Sequence, residues 1–213
     1  MNLPMDDQFP HIDLLLRRGG HINRSQLTAY DYVTHHFDQL QEYYRHYQCA
    51  LTQHPDGFFY LLVKGSLLSS RLLPKSCVHL GMFIALKARD PEITQSGGRL
   101  SISQLFQDIE TSVPRETLQR TYAPQRRHMT DPSITEELHR ALDLLAELRF
   151  IEATATTVRP LEAIHRFADL ARHNNAPDPD AKLHLLIQRG IVFLESDEPE
   201  MERDADHDNN GEN

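Results

Sequence analysis

Thirteen histidines are an unusually large supply of possible nitrogen ligands and bases in this 213-residue chain. They are scattered. His35 and His36 are adjacent and would point to different sides of a helix, whereas zinc needs three or four converging nitrogen or sulfur ligands. The two cysteines, Cys49 and Cys77, have neither metal-binding nor disulfide-framework spacing. Lys64-Gly65-Ser66 resembles the end of a phosphate-binding loop but lacks the preceding glycines that would cradle phosphates. Asp206-x-Asp208-x-Asn210-Gly211 opens like a calcium loop, yet the bidentate acid required at the twelfth position would lie beyond the last residue. No nucleophile stands at a meaningful spacing from a base. The expectation is a non-enzyme with no metal and no cofactor. Phosphate contact is the chemistry left over. Arg115, Arg120, Arg126 and Arg127 against Glu116 give the Arg115–His128 stretch a charge of +3. Such cations meet nucleic-acid backbones without reading sequence and do so in a salt-sensitive way. An ordinary solvated loop would have the same composition.

The net charge of −9 is unevenly placed. Residues 195–213 hold nine acids against one base, Arg203, so this segment carries −8 and the rest of the chain only −1. The body is therefore no strongly basic nucleic-acid binder, and the tail is expected to be solvated and disordered. The longest strongly apolar run, Val78–Leu86, is too short to span a bilayer. No basic-then-apolar leader opens the sequence. A soluble cytoplasmic protein without membrane contact is the expectation.

The elements that must position these residues begin after a flexible arm, residues 1–8. Pro10, Ile12, Leu15 and Leu16 predict a helix ended by Gly19-Gly20. His21-Ile22 is short and extended. Ser25 can cap a short helix through Leu27. A long helix follows, opened by a capping-box pair, Thr28 and Asp31. Val33, Phe37, Leu40, Tyr44 and Tyr47 share one of its faces. It runs into a hairpin, Cys49–Gln53 and Phe58–Leu62, around the turn His54-Pro55-Asp56-Gly57. Helix, strand, helix, helix, hairpin is the order of a winged helix, assigned to residues 9–63. Residues 64–73 read as a connector.

The order then repeats over residues 74–160. Pro74 opens a largely buried helix, Leu100–Ile102 is extended, and Ser103 caps Gln104–Ile109. A polar segment, Glu110–Pro132, precedes a helix carrying Ile134, Leu138, Ala141, Leu145 and Leu148. These five lie 101 positions after the five above. Phe150–Thr154 and Thr156–Arg159 complete a second hairpin. Residues 161–194 add two helices and the apolar run Ile191–Leu194, and residues 195–213 form the acidic tail. The predicted fold is α+β, mainly α: two tandem winged-helix domains with C-terminal helices.

Taken as an ordered set, several motifs resemble the MukE family, the tandem winged-helix (KITE) subunits of MukBEF-type and MksBEF-type bacterial condensins. They are Phe9-Pro10-x-x-Asp13, Gly19-Gly20-His21-Ile22, Gln41-Glu42-Tyr43-Tyr44-x-x-Tyr47, Pro55-Asp56-Gly57-Phe58-Phe59-Tyr60-Leu61, Leu73-Pro74-x-Ser76, Arg166-Phe167-Ala168 and Leu185-Leu186-Ile187-Gln188-Arg189-Gly190. The similarity is thin from Gly97 to Ser133, and the shorter length favours the MksE branch. The resemblance implies a nucleoid-associated accessory subunit that dimerises and binds a kleisin of MukF or MksF type. Through the kleisin it would join an SMC-type ATPase of MukB or MksB type, to which hydrolysis belongs. Chromosome organisation is the implied role, and a related plasmid-defence role is equally compatible with the residues.

The resemblance also implies a basic end to the second long helix. Here Leu144-Leu145-Ala146-Glu147 is apolar and acidic, which leaves Arg140 and Arg149. Arg115, Arg120, Arg126, Arg127 and Arg140 are thus the candidates for weak DNA contact. Tyr43, Tyr44, Phe58, Phe59 and Tyr60 are candidates for a kleisin or dimer interface, since peptides are gripped through apolar anchors and backbone pairing. A tandem winged-helix transcription regulator is the other class considered. It would need base-reading Arg, Asn or Gln on an exposed helix. The faces expected to be exposed offer His35, His36, Asp38 and Glu42, or Glu136, Glu137 and Glu147.

Overall fold

The computed structural model describes residues 7–68, 72–91, 93, 97–123, 131–172 and 178–191. Arg126, Arg127, the run 192–194, the acidic tail and most of the expected N-terminal arm lie outside them. The described chain is α+β and mainly helical.

Its first part runs α1 (Phe9–Arg17), α2 (Leu27–His35), α3 (Phe37–Arg45), β1 (Cys49–Gln53) and β2 (Phe59–Val63). Pro10 sits in the first turn of α1, where its missing N–H costs nothing. The single long helix expected here is two. His36, at φ −109° and ψ 20°, bends the chain between α2 and α3. Val33-Thr34 weakens helix propensity just before the bend. Bending keeps Val33, Leu40 and Tyr44 in the core while Phe37 is only partly covered. Tyr47 falls past the end of α3, and neither Ser25 nor the Thr28–Asp31 pair caps α2. The cap position is Gln26, with no side-chain cap bond.

The hairpin forms one residue later on its second strand than expected, with Cys49 opposite Val63 and Gln53 opposite Phe59. His54 N–H donates to the Phe58 carbonyl (2.8 Å) and Gly57 N–H to that of His54 (2.8 Å). Gly57 closes the turn at φ +86°, a conformation that favours a residue without Cβ. Ile22 bridges to Phe59 on the free side of β2.

The second part runs α4 (Lys75–Lys87), β3 (Leu100–Ser101), α5 (Ile102–Ser112), α6 (Arg115–Tyr122), α7 (Asp131–Glu147), β4 (Ile151–Ala153) and β5 (Thr157–Pro160). Helix α4 is buried on every side from Ser76 to Ala85, mostly apolar but with Ser76 and His79 enclosed as well. The cap of α5 is Ser101, whose Oγ accepts from Gln104 N–H at 3.5 Å, in place of Ser103. The segment read as polar, Glu110–Pro132, contains α6, which buries Thr117, Leu118, Thr121 and Tyr122. Ile134, Leu138, Ala141, Leu145 and Leu148 are all buried.

A short 3-10 turn (Glu162–His165), α8 (Arg166–Arg172) and α9 (Pro179–Arg189) close the structure. Asp178 caps α9 by accepting from Asp180 and Ala181 N–H. Glycine permits close packing at position 81, where a Cβ would stand 2.6 Å from the Phe167 ring.

The two parts share more than element order. In the first, Ile22 pairs with the last strand, giving Ile22-β2-β1; in the second, the order is β3-β5-β4. Gln48 and Arg149, each between long helix and hairpin, are the two non-glycine residues with positive φ among those described, at 56° and 61°. Their separation is again 101.

Candidate interaction surfaces

The aromatic candidates divide by burial. Tyr44, Phe58 and Phe59 are 0 to 1% exposed. Their side chains are core, which corrects their expected place on a contact surface. Strand alternation explains Phe59, and the helical period explains Tyr44. Phe58, in the turn, joins the second core rather than the first and stacks on His54, with centroids 4.5 Å apart.

Tyr43 and Tyr60 remain half-buried, each held by a guanidinium. Arg17 Nη2 donates to Tyr43 Oη at 2.6 Å, its Nε pairs with Asp13 at 2.7 Å, and its charge lies 4.0 Å from the Tyr47 ring centroid. Burial, aided by the Tyr47 hydroxyl, pushes the Tyr43 phenol up to about 12. Tyr60 lies under Arg166, 4.1 Å from ring centroid to guanidinium carbon. Leu14 on α1 and Leu62 on β2 are 49% and 45% exposed. Among the described residues β1 pairs only with β2, so its outer edge is open.

The basic candidates are only partly assembled. Arg120 and Arg140 line one cleft of about 520 Å³ with Lys75, Ser76, Glu136 and Glu137. Glu137 is occupied there, accepting from Ser76 Oγ at 2.7 Å and from Arg140 at 3.3 Å. Arg120 Nη2 also donates to the Arg189 carbonyl at 2.6 Å. Arg115 is exposed at the start of α6 and is not among the residues lining the cleft.

Residue spacing gave no sign of the polar joint between the two parts. His21 N–H and Nδ1–H both donate to the Leu148 carbonyl, at 3.2 and 2.9 Å. Its Nε2 accepts from Arg166 Nη1 at 2.7 Å. Asn23 donates to the Arg149 carbonyl (2.7 Å) and accepts from Ala163 N–H (2.9 Å). Burial first, and Arg166 second, pull the His21 imidazole down to about 3, so it is neutral and its two ring nitrogens keep opposite roles. Outside this buried pair, His54 meets Asp169 at 3.0 Å and Arg172 meets Asp56 at 3.2 Å. The signal was present in another form: His21, Asp56, Phe58 and Arg166 all belong to the motifs that carried the family resemblance.

Among the described residues no group of three or more His, Cys, Asp or Glu gathers as a metal site, and no helix is long and apolar enough to cross a membrane.

The family model described as "Condensin complex protein MksE" matches residues 7–172. Among curated proteins, the chain is 28% identical to the chromosome partition protein MukE of Yersinia pseudotuberculosis, covering 88% of this chain and 83% of that one. It is 27% identical to the MukE of Pasteurella multocida over 84% and 76% of the two chains. With the MukE of Vibrio cholerae it shares 24% over 90% and 84%. The match spans both parts of the fold and the joint between them, and on this basis the chain belongs to the MksE family of condensin complex proteins.

Proposed function

We propose that this chain is the non-catalytic accessory subunit of an MksBEF-type condensin, built from two tandem winged helices spanning residues 9–63 and 74–160. The observation that supports this reading is the matching pairing of an early extended segment with the last hairpin strand in both parts, within a chain belonging to a condensin family. Each part opens on a helix, passes an early extended residue or strand, continues through helices and ends in a hairpin, and in each the early extended segment pairs with the last strand.

In this reading the subunit dimerises and binds a kleisin, and the kleisin links it to the SMC-type ATPase. The open edge of β1 suits addition of a partner strand. Leu62 on the hairpin and the Arg17-anchored pair Tyr43 and Tyr47 supply apolar and aromatic surface beside it. DNA contact is weak and sequence-independent, made by Arg115, Arg120 and Arg140, with Arg126 and Arg127 in the same stretch of sequence. The exposed residues of α3 and α7 are Asp38, Gln39, Arg45, Glu136, His139, Arg140, Asp143 and Glu147, with Arg45 and Arg140 already paired to Glu42 and Glu137. This acid-leaning set, with both arginines engaged by neighbouring carboxylates, does not favour an operator reader.

Co-expression with a tagged kleisin of MksF type, followed by molar-mass measurement, tests the reading. A stable complex containing two copies of this chain is expected. A monomer that fails to co-purify with the kleisin overturns it. For the DNA component, Arg126→Ala with Arg127→Ala should weaken a gel shift at low salt. Unchanged binding removes that component alone.

A further inference from the structure

We propose that the acidic segment Glu195–Asn213 docks on the basic face of its own chain, formed by α6, the end of α9 and the cleft between α4 and α7, and shields that face from other anions. The described chain stops at Ile191, immediately after Gly190. Gly190 sits on α6: a Cβ there would stand 2.8 Å from Thr117 Cγ2 and 3.3 Å from Arg120 Nη2. Thr117 Oγ1 donates to the Gln188 carbonyl at 3.1 Å, and Arg120 to that of Arg189 at 2.6 Å. The exit point is therefore fixed against α6.

Glu195 follows four residues after Ile191, a reach of at most about 14 Å. On α6, at the end of α9 and along the adjoining cleft, Arg115, Arg120, Arg189, Lys75 and Arg140 are all exposed. Among the described residues Lys75, Arg115, Arg120 and Arg189 form no ion pair. The opposing carboxylates are Glu116, Glu136 and Glu137, the last already taken by Ser76 and Arg140. Against this modest positive surplus the segment brings −8. A covalently attached partner acts at a high effective concentration, so weak exposed ion pairs suffice to populate the contact. Added salt screens them.

The test uses the full chain and a full-length variant with the nine acids of residues 195–213 changed to amides, each Glu→Gln and Asp→Asn. The probe is a fluorescein-labelled synthetic peptide of residues 195–213, followed by anisotropy. The amide variant should bind the peptide at least about fivefold more tightly than the parent, whose face is already occupied. Raising NaCl from 50 to 300 mM should weaken binding by about tenfold. Adding Arg115→Ala and Arg189→Ala to the amide variant should remove most of the binding, with the melting temperature confirming the fold. Carbodiimide cross-linking of the parent should join the segment to Lys75 within one chain, independent of dilution. Equal peptide binding by parent and amide variant overturns the proposal. So does cross-linking only between chains, which would assign the face to a second copy's segment. Neither assay contains DNA or kleisin, so a failure here leaves the proposed function standing, and the reverse also holds.

Discussion

The helix-and-hairpin of the first part and that of the second solve the same problem differently. In the second, α7 is one straight run of 17 residues, and β4–β5 gains a third strand in β3. In the first, the corresponding helix breaks at His36, and β1–β2 receives only a single bridge from Ile22. The second is thus the better-covered copy. Its core also takes in α4, α8 and α9, whereas the core of the first is built from α1, α2, α3 and the hairpin. A shared scaffold can therefore keep one copy as a packed centre and leave the other with an open strand edge. The two are not independent, because Phe58 leaves its own hairpin to pack in the neighbouring core.

Removing that residue is the strongest way to break the comparison. Phe58→Ala should cost about 3–5 kcal/mol and lower the midpoint of both parts together in a denaturant titration. Two separate transitions would show that the parts unfold independently. Acid should act next most strongly. His21 titrates near its ordinary value when unfolded but only at about 3 when folded, so the unfolded chain takes up the proton first. The stability it supports is full above about pH 6.5 and lost as pH falls towards 3, on the order of 4 kcal/mol. Burial lowers His79 in the same direction. His21→Gln should flatten this slope in melts recorded from pH 7 to pH 4; an unchanged slope would clear His21 of the effect.

Asn23→Ala should cost about 2–3 kcal/mol, because it strands the Arg149 carbonyl and the Ala163 N–H at the joint. A loss confined to local hydrogen exchange near α1 would argue against such coupling. The smallest change sharpens the likeness itself. Gln48→Gly and Arg149→Gly each relieve a left-handed residue and should each stabilise by up to about 1 kcal/mol. Opposite signs in thermal melts would mean the two corners are not equivalent.

Much of this plan was legible in the residue pattern. The apolar periods of Ile134–Leu148 and the Pro-Asp-Gly turn announced α7 and the first hairpin, since both signals are local. The break at His36 was not legible, because Val33, Phe37, Leu40 and Tyr44 keep a helical period across it, and the weak propensity of Val33-Thr34 breaks a helix only where packing also asks for it. Helix α6 was hidden by its composition: Arg115, Glu116, Gln119 and Arg120 look like a solvated loop until Leu118 and Tyr122 find the neighbouring core. Of the interface candidates, residue type could pick aromatics but not their depth. Tyr43 and Tyr44 are neighbours in sequence, and only the face of α3 separates surface from core.

The bond from Arg166 to His21 reaches across 145 positions of chain. A guanidinium placed beside an imidazole that stays uncharged loses its buried acceptor once that ring is replaced and keeps only its stacking on Tyr60. Descendants that lose one member should therefore carry a compensating exchange at the other. The pair would then drift through evolution as a single inherited character, distinguishable from sites whose mutations accumulate separately.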